Sequence, residues 1–373
     1  MTIQTKSRTS LQALIALLQE VDQRWCSEEW NLTSPEDIVG SHRALMHILE
    51  AALVGHFEQD VRQPDFRRIV TPSRKLTGDN ADAIYFDAPI DPAYAYEIQG
   101  EMNGAAYFSM TIENDAEGEK ITTTGGAIND TQLDIDADGK FTITLGGEPQ
   151  AKNWLPLAGG ASRVTTRHYW ELETPAALDP KFEPRMTMRC TTNTDIPDPP
   201  SDASVSAGIE RVISTVRART LNMPTLAGGE TPSFMWLTPN CFPEPQTPGD
   251  FGLAAVDAHY SMAPFFLDTD QALLITGRWP ECRFANVCLW NRFQQTLDYS
   301  SRSVSLNRVQ TVTESDGTFR MVIAHQDPAV PNWLDTEGKL FGLVFWRFFL
   351  VEGEVETPQA KVVKLEDVRA GRV

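Results

Sequence analysis

Two periodicities divide the chain. Near the start, apolar residues recur at helical spacing: Leu11, Leu14, Ile15, Leu18 and Val21 make one stripe, and Ile38, Leu45, Ile48, Leu49, Ala52 and Leu53 make another. The second stripe opens on Thr33-Ser34-Pro35-Glu36-Asp37: a hydroxyl cap, a proline suited to the first helical position, and acids that meet the helix dipole. From about Asp79 the period falls to two. Ala95–Ile98, Ala106–Met110 and Phe141–Leu145 are short runs rich in aromatic and β-branched residues between turn residues, the pattern of strands. Thr174 to Asp202 is proline-rich and irregular. Val205, Ile209, Val212, Ile213 and Val216 then predict a third helix. Leu221 to Asp250 carries six prolines and reads as a long coil, a length that points to a functional lid or a surface wrap. Strands resume after Asp250.

The strand regions repeat. Asp82-Ala83-Ile84-Tyr85 with Ala88-Pro89 returns 175 residues later as Asp257-Ala258-His259-Tyr260 with Ala263-Pro264. Gly100 returns as Gly277, Asn129 as Asn307, Asp138-Gly139 as Asp316-Gly317, Asn153-Trp154-Leu155 as Asn332-Trp333-Leu334, and Arg167 as Arg347. The offset drifts only from 175 to 180, at turn-like places, as loop insertions produce. The expected fold is therefore mainly β and α+β overall. Two tandem antiparallel β-sandwich or jelly-roll-like repeats form a pseudo-two-fold pair, with N-terminal and inter-repeat helices. The expected divisions are 1–66 helices, 67–180 first β-repeat, 181–250 proline-rich linker with a helix, 251–355 second β-repeat, and 356–373 tail.

The same residues resemble a known family. Asp79-Asn80-Ala81-Asp82-Ala83-Ile84-Tyr85, Ala88-Pro89-Ile90-Asp91, the strand around Tyr107, Asn153-Trp154-Leu155-Pro156, Arg167-His168-Tyr169 and Asp327–Thr336 are similar to the bacterial family called domain of unknown function 1214, in its longer members. The resemblance implies a β-sandwich. It brings no established chemistry and so no catalytic residue.

Charge and cysteine usage narrow the functional classes. A formal net charge of -19, with no offsetting Lys/Arg stripe, opposes nucleic-acid binding and an anionic membrane surface. Apolar runs such as Ala13–Leu18 fall far short of the roughly 20 residues of a spanning helix. The first residues lack the apolar core of a signal peptide. Five cysteines without C-x-x-C spacing oppose a disulfide framework and a zinc site. These features predict a reduced, cytoplasmic protein with a small-molecule ligand, no cofactor, and homo-oligomerisation left open.

Candidate chemistry is sparse. His42, His47 and His56 are not spaced as an i, i+4 metal pair, and they read as surface or packing residues. Asp134-x-Asp136-x-Asp138-Gly139 matches half a calcium loop, but Leu145 stands where the closing Glu belongs, so a tight hairpin turn is expected instead. The two Asn-Trp pairs read as loop corners, with the Asn serving backbone groups and the indole filling the core. Arg167 and Arg347 need acid partners if buried, for which Asp82 and Asp257 are the candidates. No nucleophile elbow, phosphate loop or metalloprotease motif occurs. Polar residues confined to the second repeat suggest specialisation: Asp298, Tyr299 and Arg302 as a catalytic set, with His259, Tyr260, Trp290, Asn291 and Asn307 binding substrate and no metal. The expected function is a metal-independent lyase, isomerase or hydrolase of acid/base type with its cleft between the repeats. The alternative is a non-catalytic module binding a carbohydrate or apolar small molecule.

Overall fold

The computed structural model describes residues 3–57, 60–114, 123–192, 199–223, 231–249 and 254–373. Two helices come first, α1 (Lys6–Arg24) and α2 (Pro35–His56). Ser34 caps α2 as expected, accepting a hydrogen bond from the Asp37 amide, with Pro35 at the first turn. Module one contains β1 (Arg67–Arg68), β2 (Ala83–Pro89), β3 (Tyr96–Glu101), β4 (Tyr107–Asn114), β5 (Thr123–Asn129), β6 (Lys140–Leu145), β7 (Trp154–Leu155), β8 (Ala161–Tyr169) and β9 (Thr187–Cys190). Helix α3 (Asp202–Arg219) follows. Module two contains β10 (Ala258–Phe266), β11 (Gln271–Arg278), β12 (Phe284–Trp290), β13 (Ser305–Asn307), β14 (Thr318–Ala324), β15 (Trp333–Asp335), β16 (Phe341–Phe349) and β17 (Gln359–Lys364), and α4 (Leu365–Arg369) closes the chain.

Apart from β1, the modules match strand for strand. One sheet of module one runs β1-β2-β8-β4-β5 and the other β7-β6-β3-β9; module two runs β10-β16-β12-β13 and β15-β14-β11-β17. All pairs are antiparallel except β6 with β7 and β14 with β15, again at matching places. Registers agree too: Arg167 lies between Tyr85 and Ser109, and Arg347 between Tyr260 and Asn286. Within module one, Ile98, Phe108, Met110, Ile143 and Val164 bring the two open sheets face to face over one core.

Repeated side-chain devices explain why the repeat was visible in sequence. Asn153 and Asn332 occupy the left-handed region, at φ 50° and 57°. The Asn153 carboxamide accepts from the Asp134 amide and donates to the Asp134 and Thr142 carbonyls. Asn332 does the same with Val312 and Arg320. The neighbouring indoles donate to the Gly146 and Ala324 carbonyls, but Trp154 and Trp333 are half-buried rather than core-filling. Replacing either Asn by Ala should cost about 1–3 kcal/mol, by orphaning backbone groups at a strained corner. Urea unfolding of the two single variants checks this, and a loss within error in both would remove the clamp from the account.

Two expectations need correction. Asp138-Gly139 and Asp316-Gly317 do form tight turns, with Gly φ of 79° and 82°, but they do not join two paired strands. Each carries the chain from one sheet of its module to the other. Residues 187–190 and 359–364 are not linker and tail: β9 pairs with β3, and β17 with β11, so each module ends on an edge strand. The long coil lies partly outside the described residues. Its described part borders strand β10, where Trp236, Asn240 and Gln246 donate backbone bonds to Met262, Pro264 and Tyr260. The edge of that sheet is thereby covered.

The modules meet in a reciprocal contact. Asn307 of module two donates to Asp82 of module one at 3.2 Å, and Asn129 of module one donates to Asp257 of module two at 2.7 Å. These are repeat-equivalent pairs, so the junction has the isologous character of a two-fold interface. Asn286 completes the Asp82 end, and the Tyr107 hydroxyl the Asp257 end. Asp82 and Asp257 are therefore spent across the junction and do not pair with the strand arginines.

Candidate functional site

A cavity of about 410 Å³ lies at this junction. Its walls come from β2, β4 and β8 of module one, from β10, β12 and β16 of module two, and from α2 and α3. Helix α3 shows how local sequence builds the wall. Val212 and Val216 are buried in the core, while Glu210-Arg211, Ser214-Thr215 and Ala218-Arg219 recur every four residues on the cavity side. The polar face of this helix is thus a cavity lining.

The lining is cationic although the protein is acidic. Among the described residues six arginines face four carboxylates. At the α2 end, Asp87 is shared by two guanidiniums: Arg67 grips both its oxygens at 2.9 and 3.2 Å, and Arg163 bonds one of them. The same arginines donate to the Ala51 and Gly55 carbonyls at the C-terminal turn of α2. A Cβ at Gly55 would stand 2.7 Å from an Arg67 nitrogen, so a larger residue would push that guanidinium aside. Burial, then the surrounding arginines, hold His56 well below the usual imidazole range, so it is neutral in this ring of cations.

The inner end differs. Arg347, only 3% exposed, donates through Nη2 to the Gly78 and Asp79 carbonyls at 3.0 and 3.1 Å. Its guanidinium lies 4.2 Å from the Phe345 ring centre and 4.9 Å from that of Trp290. Its Nη1 has no partner, and no carboxylate pairs with it among the described residues. Beside it Asp79 accepts from the Thr296 amide through Oδ1 while Oδ2 has no partner. Burial pushes the Asp79 carboxyl up, against the pull of Lys75 and its hydrogen bonds. The Tyr85 and Tyr169 hydroxyls bond each other at 3.0 Å, which uses one of their two protons. Burial keeps Tyr85 and Tyr260 protonated, both far above the usual phenol range. The inner wall is thus rich in donors and poor in acceptors.

The expected site residues scatter over this map. Trp290 and Tyr260 line the cavity; the Trp290 indole donates to the Asp79 carbonyl, and the Tyr260 hydroxyl accepts from the Ala255 amide. Asn307 belongs to the junction, and Asn291 caps a turn by accepting from the Phe293 and Gln295 amides. His259 is half-buried on β10 and lines none of the cavities described here. Asp298, Tyr299 and Arg302 do not converge. Asp298 accepts from Ser300 and Ser301, Tyr299 lies beneath the Lys75 ammonium at 3.6 Å, and Arg302 is ion-paired with Asp335 at 2.7 Å. Tyr299 and Arg302 border a second, shallower groove between module two and residues 173–178. Their span in the first repeat, Ala116–Lys120, lies outside the described residues. Of the residues missed as site residues, Arg347 sits mid-strand, where its Trp346 and Phe348 neighbours were the available signal, while Asp79 precedes β2 and had none.

One group of metal-ligating type occurs among the described residues: Asp22, Cys26 and His42, whose ligand atoms lie within 4.8 Å of one another. His42 and Asp22 already bond each other at 3.0 Å on the surface, away from the cavity. No helix among the described residues is long and apolar enough to cross a membrane.

Fold and cavity together define a two-module β-sandwich protein with an arginine-lined cavity at its pseudo-two-fold junction. The family described as Protein of unknown function (DUF1214) matches residues 82–173, most of module one, as the sequence motifs indicated. The crystal structure of an uncharacterised protein from Burkholderia cenocepacia is similar over 96% of this chain and 97% of its own, with 23% identity and a TM-score of 0.83, which supports the fold as a whole. The VPA0106 protein from Vibrio parahaemolyticus covers 87% of this chain and 98% of its own at 14% identity and a TM-score of 0.49. No curated protein matches.

Proposed function

We propose that the protein binds a small organic anion in the cavity between its modules. The observation that carries this is Arg347: a rigidly held, buried guanidinium, stacked on aromatic rings, with one nitrogen unpartnered and no carboxylate bonded directly to it among the described residues. A buried guanidinium nitrogen left without an acceptor is costly, and a ligand acid group reaching it removes that cost. Tyr260, Trp290, Phe234 and Met262 supply the apolar lining that a ligand pocket needs. A neutral sugar would give this guanidinium no direct ion pair. Acid/base catalysis is a second reading, favoured by Asp79, whose raised carboxyl with one free oxygen is suited to proton transfer. Cytoplasmic residence and descent by internal duplication belong to the same reading, supported by the free cysteines and the matched modules.

Calorimetric titration with naphthoate and its neutral counterpart naphthylmethanol tests the proposal. Naphthoate should bind at least about tenfold more tightly, and Arg347→Met should remove that preference while the fold survives. Equal affinity for acid and alcohol in the wild type would overturn it.

A further inference from the structure

We infer that the anion is a carboxylate with a hydroxyl on the adjacent carbon, a 2-hydroxy acid with an apolar side chain. This rests on the anion reading and deepens it.

The inner wall presents two complementary orphans. Arg347 Nη1 is a donor without an acceptor, and Asp79 Oδ2 is an acceptor without a donor. Both residues line the cavity, and they are tied together because Arg347 Nη2 donates to the carbonyl of Asp79 itself. Each orphan left buried costs about 1–3 kcal/mol, more where charge is involved. A simple carboxylate satisfies the guanidinium and leaves Asp79 as it was. A carboxylate bearing a neighbouring hydroxyl satisfies both, because that hydroxyl can donate to Oδ2 while the acid group meets Nη1.

The alternative donor on that carbon is an ammonium, and local charge opposes it. Lys75 and Arg347 already act on Asp79 as cations, and the Lys75 ammonium is itself buried without a hydrogen-bond partner. A third cation there would be repelled by both, whereas a neutral hydroxyl is not. The hydroxyl also bonds Asp79 in either protonation state, which suits a carboxyl raised by burial. Trp290, Phe345, Phe234 and Met262 then face the side chain of the acid.

The test uses four probes sharing one aromatic tail, titrated calorimetrically into the full chain: phenyllactate, 3-phenylpropionate, phenylalanine and 3-phenylpropanol. Phenyllactate should bind at least about tenfold more tightly than 3-phenylpropionate and phenylalanine, and phenylpropanol most weakly. Asp79→Asn keeps an oxygen for the Thr296 amide, and it should shrink the phenyllactate preference to about threefold or less without weakening 3-phenylpropionate. The wild-type ranking decides the matter even if that variant does not fold. Phenyllactate and 3-phenylpropionate binding alike would overturn the hydroxyl inference and leave the anion site standing. Phenylalanine binding best would overturn it in favour of an amino acid. Phenylpropanol binding as well as the acids, or no probe binding, would overturn both.

Discussion

Asp87→Ala is expected to destabilise the protein by about 3–5 kcal/mol. The carboxylate is the shared counter-charge of Arg67 and Arg163, and both Asp87 and Arg163 are buried. Removing it leaves two guanidiniums facing each other across the end of α2, held by backbone carbonyls and, for Arg163, the His56 ring nitrogen. The damage should not be confined to the cavity, because the same arginines hold the last turn of α2 through Ala51 and Gly55. Asp87→Asn, which keeps the shape and loses the charge, should fall between alanine and wild type. Urea unfolding at neutral pH reads these differences. A loss under about 1 kcal/mol for alanine would mean that cavity water hydrates the two cations, and the Asp87 link would then be local decoration.

The second large effect concerns pH. Burial pushes the Asp82 carboxyl up to about 7, against the pull of the hydrogen bonds from Asn286 and Asn307. In the unfolded chain the same group titrates near 3.8. Below pH 4 both states carry the proton and the folded state keeps its full advantage. As pH rises the unfolded chain ionises first, so stability falls steadily until the folded carboxyl also ionises near pH 7. A shift from 3.8 to about 7 corresponds to an effect on the order of 4 kcal/mol. The clean measurement is a difference: unfolding free energy of wild type minus that of Asp82→Asn, from pH 4 to 8, which cancels groups elsewhere. The difference should favour wild type most at pH 4 and shrink up to about pH 7. Parallel curves would show that Asp82 is ionised throughout.

What could be read from the chain, and what could not, follows from how far apart the cooperating residues lie. The repeat was legible because Asn153, Asn332, Gly100 and Gly277 each answer to neighbours within their own module. A Cβ at Gly100 or Gly277 would strike Phe141 or Phe319, so the same glycine and phenylalanine recur in both halves. The junction was only half legible: Asp82 and Asp257 stood out, but their amide partners are Asn307 and Asn129 of the opposite module, and arginine seemed the natural choice. The cavity was the least legible. Searching for polar residues unique to the second repeat led to Asp298 and Arg302, which are engaged on the surface. The cavity instead draws on positions occurring in both repeats, such as Tyr85 with Tyr260 and Arg167 with Arg347, and on the polar face of α3.

The crossed Asp-Asn contacts carry a consequence for assembly. A polypeptide holding one module would have its aspartate and its asparagine on the same surface, and a second copy turned by half a revolution would satisfy both at once. Carrying both modules on one chain replaces that bimolecular encounter with an intramolecular one, at an effective concentration on the order of millimolar. Closure of the cavity is then independent of protein concentration, and it survives dilution that would part a dimer. Two modules on one chain need not present identical surfaces, and here Tyr107 serves Asp257 where Asn286 serves Asp82.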